Sequence, residues 1–486
     1  MSSVSGSLSS ALSGLTAASR RAEIVASNIA NAATPGYGRR VLEVSARSVG
    51  SSGQGVAIAG VTRIVDMRLI GERRLSDADA AGTAVLADFY KSIEVPIGSP
   101  DQPQSLNGRI NTFDTALLAA TSHPESEARL DQVAVAAQAL ANQINAISDK
   151  IQDQRAAADA EIANQVQQLN DTLGRVADLN AQIRTNMGSA ADPSALIDQR
   201  QQMIDSIASI VPIREFDRGD GQVALMTTGG LMLVEGEATR IEFSPVGVVA
   251  PGMTLQGGAL SPLLIDGRPI DASGPNSPLG GGSLAALFRV RDVVAVDAQT
   301  RVDAVARDLV ERFQDPALDA TRAPGAAGLF TDNGAAFDPL NEVGLAQRIR
   351  LNPVVDPAAG GQLWHLRDGL GAATPGDAGN AALLNAWEHA LTSDRSPVSG
   401  NFMQGARSFS ELSADFSSQI ATARLGSESD ATYAQNRADT MKAMELEGGV
   451  DTDQEMQDLL QIEQAYAANA RILAAVDDMI KKLLEL

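Results

Sequence analysis

The stretch "ASNIANAATPGYGRR", residues 26–40, starts as helix and stops within a few residues. Pro35 biases Thr34 away from the helical region, and Pro35-Gly36 is a turn pair, so a helix entering this stretch ends near Ala33. Upstream, Val4, Leu8, Ala11, Leu15, Ala18, Ala22, Val25, Ile29 and Ala32 alternate in steps of four and three, which is a heptad seam. Most seam residues are small, so a partner helix can approach closely. Downstream, residues 41–63 alternate apolar and polar positions with Gly and Ser between them, which predicts short extended segments or a hairpin.

The other end of the chain has the same spacing. Leu459, Ile462, Tyr466, Asn469, Leu473, Val476, Ile480 and Leu483 form a second seam with one polar member, Asn469. A single polar residue in such a seam fixes register and partner number at some cost in stability. Two heptad helices of similar length at the two ends are most economically paired. An intramolecular helical hairpin would satisfy both, but small-residue seams also suit helices that pack with several neighbours in a bundle or tube of subunits.

Between the ends the text is mostly helical. Helices are expected at about 66–94 and 105–121, and Ser122-His123-Pro124-Glu125 reads as a capping box. Residues 126–186 contain no proline and one glycine, Gly174. Leu130, Val133, Ala137, Leu140, Ile144, Ile147 and Ile151 form a seam there, and Ile162, Val166, Leu169, Leu173 and Val176 resume it after a register slip. Such a helix is roughly 90 Å long at 1.5 Å per residue. Asp192-Pro193 opens another helix, with Leu196, Ile197, Met203, Ile204 and Ile207 on its apolar side. Residues 211–283 switch to alternation around Asp220-Gly221 and Gly229-Gly230, the pattern of β-hairpins. A helix over 283–314, an irregular stretch over 315–380, and helices at about 380–392 and 405–447 complete the chain. The expected fold is mainly α: an elongated, multi-domain chain with paired coiled-coil termini, a long-helix bundle and a small inserted β-rich domain. Its expected units are 1–65 with 448–486, 66–210 with 284–447, and 211–283.

Composition excludes several classes of function. The net charge of −22 opposes binding to nucleic acid or to anionic membrane surfaces. With no cysteine, the chain has no disulfide, thiolate metal site or cysteine nucleophile. The N-terminus lacks the basic and apolar regions of a cleaved signal peptide, and no run reaches the ~18 apolar residues of a spanning helix. His123, His365 and His389 have no partners at metal-ligand spacing, so no metal or cofactor is expected. No nucleophile motif or phosphate loop is present, and Arg218-Gly219-Asp220 reads as a turn. The expectation is a chain without catalytic residues. Arg20-Arg21 and Arg39-Arg40 read by default as solvated faces, with contact to acidic neighbours as the sharper alternative.

The opening stretch resembles the N-terminal signature of bacterial flagellar axial proteins of the rod, hook and hook-junction group, carried by Asn28, Ile29, Ala30, Asn31, Thr34, Pro35, Gly36 and Tyr37. Gly55, Val56, Arg63 and Asp66 match the element after that group's first helix, and Gln464, Ala465, Tyr466, Asn469 and Ala470 match its C-terminal helix. Leu196, Ile197, Asp198, Gln199 and Arg200, together with "GGGSLAALFRVRD" at 280–292, resemble the interior of its hook-junction branch. The resemblance implies a structural subunit of the extracellular flagellum at the junction of hook and filament. It implies export unfolded, without a cleaved signal peptide, by the flagellar type III apparatus, with a chaperone on the C-terminal helix. The implied partners are further copies of the chain, hook protein and a second junction protein. The assembly interface is expected on the two seams, at Val4, Leu8, Leu15, Val25, Ile29, Leu459, Ile462, Tyr466, Asn469, Leu473, Val476, Ile480 and Leu483, and on the signature residues Asn28, Asn31, Pro35, Gly36 and Tyr37. The rivals are a hook or distal rod protein, a non-flagellar coiled-coil adaptor, and an enzyme such as a peptidoglycan hydrolase.

Overall fold

A computed structural model describes residues 2–34, 36–49, 52–187 and 192–484. Helix α1 (Ser2–Ala30) and the last helix, α12 (Thr452–Leu484), pack against each other. Their shared core is thin: Ala18, Val25 and Ile462 are buried, with Ala22, Ile29 and Leu459 half-buried beside them. Gly14 faces Asn469, and a Cβ at Gly14 would lie 2.8 Å from the Asn469 amide nitrogen. The small residue thus allows the close approach that the seam composition promised. Strands β1 (Arg39–Val49) and β2 (Ser52–Ile64) form an antiparallel hairpin that pairs Arg40 with Arg63. Gly55, at φ +90°, brings the hairpin onto α1: a Cβ there would meet Ser13 Oγ at 2.0 Å. The Val56 amide donates to that same oxygen at 3.2 Å.

The hairpin leads into the helical body. Helix α2 (Met67–Ile97) is capped by Asp66, which accepts from the Arg68 and Leu69 amides, and α3 (Leu106–Ser122) is capped by Ser105. The spine is α4 (Glu127–Met187), a single run of 61 residues. The expected capping box at Ser122 is misplaced. Ser122 is the last residue of α3, its hydroxyl donating back to the Leu118 carbonyl at 3.1 Å, and His123 and Glu125 are exposed in the connection. After α5 (Ser194–Ala208) and the β-rich stretch come α6 (Gly282–Arg289), a π-helical turn (Val290–Val294) and α7 (Ala295–Gln314). The expected single helix over 283–314 is therefore broken by one wide turn.

Residues 315–380 look irregular, yet they enclose real core. Strands β10 (Phe330–Asp332) and β11 (Ile349–Leu351) pair beside the short helices α8 (Leu345–Arg348) and α9 (His365–Asp368). Phe330 stacks edge-on against Phe113 and Phe313, with Trp387 of α10 (Ala382–Thr392) tilted against Phe313. Four of the chain's few aromatics are thus gathered at one point. Helix α11 (Phe409–Glu447), opened by a Ser408–Glu411 capping box, returns along α2 through the small residues Ala80, Ala434 and Ala438.

The β-rich stretch contains β3 (Ile213–Gly219), β4 (Gln222–Thr227), β5 (Met232–Glu235) and β6 (Glu237–Ala238) in one antiparallel sheet. A second sheet holds β7 (Ile241–Glu242), β8 (Leu263–Ile265) and β9 (Arg268–Ile270). The Arg218-Gly219-Asp220 stretch enters the β3–β4 turn, where Asp220 and Gly221 both have positive φ. The supposed slip in the α4 seam, between Ile151 and Ile162, is a polar section of the same buried face. Arg155 and Asp159 are both fully buried there. Arg155 donates to the carbonyls of Arg291 and Met253 at 2.9 and 2.6 Å, and Asp159 binds Arg291 at 2.8 Å and the Val246 amide at 2.7 Å. The break in apolar spacing is where α4 fastens the π turn and the loop of the β-rich stretch.

Candidate functional site

The expected interface residues fall into two groups. Along the seams, Val25, Ile462 and Val476 are buried, while Val4, Leu15, Ile29, Leu459, Asn469, Leu473 and Ile480 are half-buried. Leu8 and Tyr466 are exposed at 37% and 48% even with α1 and α12 paired. Pro35 and the side chain of Leu483 lie outside the described residues. Asn469 donates to the Ala465 carbonyl of its own helix at 3.0 Å while resting over Gly14.

The signature residues gather at the end of α1, and Asn28 is their hub. It is 1% exposed and its amide makes four hydrogen bonds. Its nitrogen donates to the Arg40 carbonyl at 2.9 Å and to Glu455 of α12 at 3.0 Å. Its oxygen accepts from the Arg40 amide at 3.0 Å and the Tyr37 hydroxyl at 2.9 Å. Only an amide side chain offers two donors and an acceptor in this arrangement. Asn31 donates to the Ser27 carbonyl at 2.9 Å, closing the last turn of the helix. Gly36, at φ +75°, passes so close to Gln202 of α5 that a Cβ would lie 2.9 Å from its side chain. Glycine at this point lets the chain leave α1 while touching the body.

A second cluster joins this unit to the body. Asp198 of α5 accepts from the Gly38 amide at 3.1 Å, from Arg40 at 2.7 Å and from Arg63 at 2.7 Å. Arg39, the neighbour of Arg40, turns the other way and binds Glu455 at 2.6 Å. Beyond Asp198, Arg73 of α2 binds Asp205 of α5 at 2.6 Å and also contacts Glu445 of α11. Burial would lower the Arg73 pKa, but the charges of Asp205 and Glu445 and the hydrogen bond to Asp205 hold it above its ordinary value. Arg74 joins Asp205, Glu215 and Gln201. Arg39 and Arg40 are therefore not solvated faces, and the contact with acidic neighbours is the correct reading for that pair. Arg20 remains exposed beside Glu23.

Sequence reasoning missed Glu455, Asp205, Glu215 and Glu445. Their partners lie up to 427 residues away, and 60 carboxylates give no local sign of which are clustered. This is positioning chemistry: buried ion pairs and a satisfied amide fix one set of helices against another. Among the described residues no group of three or more His, Asp or Glu is placed to hold a metal ion, and no helix is long and apolar enough to cross a membrane.

Paired terminal helices, a break with a hairpin after the first and a long-helix body between them are the features that the opening resemblance led one to expect. Three family profiles match the chain in order. Residues 8–37 match the flagella basal body rod protein family, residues 92–328 the helical domain of flagellar hook-associated protein FlgK, and residues 447–486 the C-terminal region of the flagellar basal body rod FlgEFG proteins. The chain is thus similar to flagellar rod and hook proteins at both ends and to the helical domain of FlgK between them. Its named relatives are flagellar hook-associated protein 1 of several bacteria. The Salmonella typhimurium protein is 28% identical over 244 residues, 49% of this chain and 44% of that protein, so the match spans less than half of the relative's length. The Bacillus subtilis protein is 23% identical over an alignment of 517 residues covering 100% of this chain and 98% of that one. A solved structure of the flagellar hook junction protein FlgK from Burkholderia pseudomallei aligns with TM-score 0.45 and 18% identity over 54% of this chain and 47% of that one.

Proposed function

We propose that this chain is a structural subunit of the bacterial flagellum at the junction between hook and filament. The observation that carries the reading is the order of the family matches: axial ends on both sides of an interior that matches the FlgK helical domain. That interior argues against the hook and distal rod alternatives, and the matched ends argue against an unrelated coiled-coil adaptor. In this reading residues 1–65 with 448–486 form the axial unit, 66–210 with 284–447 the helical body and 211–283 an inserted outer unit. The two seams and the signature residues are the assembly interface, and the half-open side chains Leu8 and Tyr466 are offered to neighbouring copies.

The same reading gives it further copies of itself, hook protein and a second junction protein as partners. Export proceeds through the flagellar type III apparatus, with a chaperone holding the C-terminal helix beforehand. In this reading its role is mechanical and not catalytic. A deletion strain tests this directly. It should build hooks without filaments and shed flagellin into the medium, and the full chain should restore filaments where versions lacking 1–33 or 452–486 do not. Normal filaments in the deletion strain, or on either truncated version, would refute the proposal.

A further inference from the structure

Consecutive residues of a strand point to opposite faces, and here that alternation places two arginines on two different tasks. Arg39 reaches Glu455 on α12, while Arg40 reaches Asp198 on α5. Asn28 stands between them: the nitrogen that donates to Glu455 also donates to the Arg40 carbonyl, and the oxygen of the same amide accepts the Arg40 amide. The backbone that aims Arg40 at the body is therefore held by a side chain whose remaining donor is occupied by the C-terminal helix.

We infer that the Arg39-Arg40 strand is a coupling element: seating of α12 at Glu455 sets the orientation of the terminal unit on the helical body through Asn28, Arg40 and Asp198. Several features support a joint that has a held and a released state. On the body side, beside the approach of Gly36 to Gln202, one carboxylate takes three donors, Gly38, Arg40 and Arg63, and Arg40 and Arg63 are cross-strand partners. One residue thus grips both strands of the hairpin at once. Ile64, at the end of β2 beside Arg63, is 51% exposed and adds little apolar contact to the joint. A polar joint of this kind switches as a unit, because half of it cannot be satisfied without the other half. Loss of the Glu455 contact leaves the Asn28 nitrogen with an unmatched donor, lets the amide turn, and frees the Arg40 backbone. Pairing of the two end helices and locking of the body behind them then become one event.

The test uses the full chain with spin labels, which attach only at introduced cysteines because the sequence has none. One pair, Ser19→Cys with Ala160→Cys, reports α1 against the spine of the body, and both positions are exposed. A second pair, Ser19→Cys with Arg471→Cys, reports the α1–α12 pairing itself. In pulsed dipolar measurements, Asp198→Asn should widen the first distribution about twofold. Glu455→Gln and Arg39→Gln, which pair with each other inside the terminal unit, should widen it as well while the second distribution stays narrow. Combining Glu455→Gln with Asp198→Asn should add nothing beyond Asp198→Asn alone, the signature of one coupled unit. The inference is overturned if Glu455→Gln and Arg39→Gln leave the first distribution at native width. It is equally overturned if they widen it only together with the second, since that is simple detachment of α12. The measurement needs no assembled flagellum, so its outcome is independent of the proposed function.

Discussion

Replacing Asn28 with alanine should unlock the terminal unit while leaving the body intact. The residue is 1% exposed and its amide makes four hydrogen bonds, one of them to the Glu455 carboxylate. Each neutral bond contributes about 1 kcal/mol net and the charge-assisted one about 2 kcal/mol, giving about 5 kcal/mol for the set. Water entering the small space left behind would re-satisfy part of it, so about 3 kcal/mol is the working figure. That is about two decades in a local opening equilibrium. The apolar cluster that α1 and α12 share near Asn28 has three buried residues, Ala18, Val25 and Ile462, so apolar resistance to the opening there is small. Hydrogen exchange followed by mass spectrometry reads the effect by segment. Amides of α1 and α12 should lose about a hundredfold protection, or reach free-peptide rates if the unit is less stable than that, while α4 amides keep theirs. Unchanged protection across α1 and α12 in the Asn28→Ala chain would refute the view that this amide is the hub of the joint.

Three other outcomes follow from the packing and the charges. Gly14→Val should push α1 off α12 at Asn469, costing about 2 kcal/mol and lowering the protection of residues flanking position 469 in the same exchange experiment. Trp387→Ala should cost the body about 4 kcal/mol in urea unfolding followed by far-ultraviolet circular dichroism, because the indole is fully buried against Phe313. Burial raises the folded-state pKa of Asp303 from 3.8 to about 6, against the hydrogen bonds from the Gly344 and Ala346 amides and Gln299. Between about pH 4 and 6 the folded chain then holds a proton that the unfolded chain has released, so this residue's contribution is largest in acid and is lost as pH rises through 6. The stability of the wild-type chain relative to Asp303→Asn should therefore be greater at pH 4.5 than at pH 7.5, by about 2 kcal/mol, in denaturant titrations at the two values.

What could be read from the sequence was whatever local spacing determines. The α1 and α12 seams, the 61-residue α4, the extended segments after α1 and the hairpin turn at Asp220-Gly221 each rest on residues within a few positions of one another. The failures were of two kinds. Ser122 and Ser126 stand four positions apart around Pro124, and either could open a helix; the structure uses Ser122 as the end of α3. The second kind is distance. Arg155 and Asp159 looked like a fault in an apolar seam because their partners, at Val246, Met253 and Arg291, lie about a hundred residues on. The same holds for Asn28, which the signature singled out without revealing that Glu455 was its partner.

The contrast between the two ends of the molecule bears on how it works. The body buries a continuous apolar core from α2 to α11 and needs no neighbour to complete it. The α1–α12 pair has a core of a few side chains, holds Leu8 and Tyr466 partly open along its seams, and depends on polar contacts at one end for its placement. A helix pair this thinly covered draws much of its stability from outside itself, since helices in water are stabilised chiefly by packing of their apolar faces. Ion pairs at the joint suit that situation. They fix direction through defined geometry, and when broken they leave groups that water can solvate. In the proposed reading, a subunit that is soluble before assembly and takes one orientation after it is served by this division: weak apolar seams for neighbours to complete, and a charged clasp that sets the angle once they have.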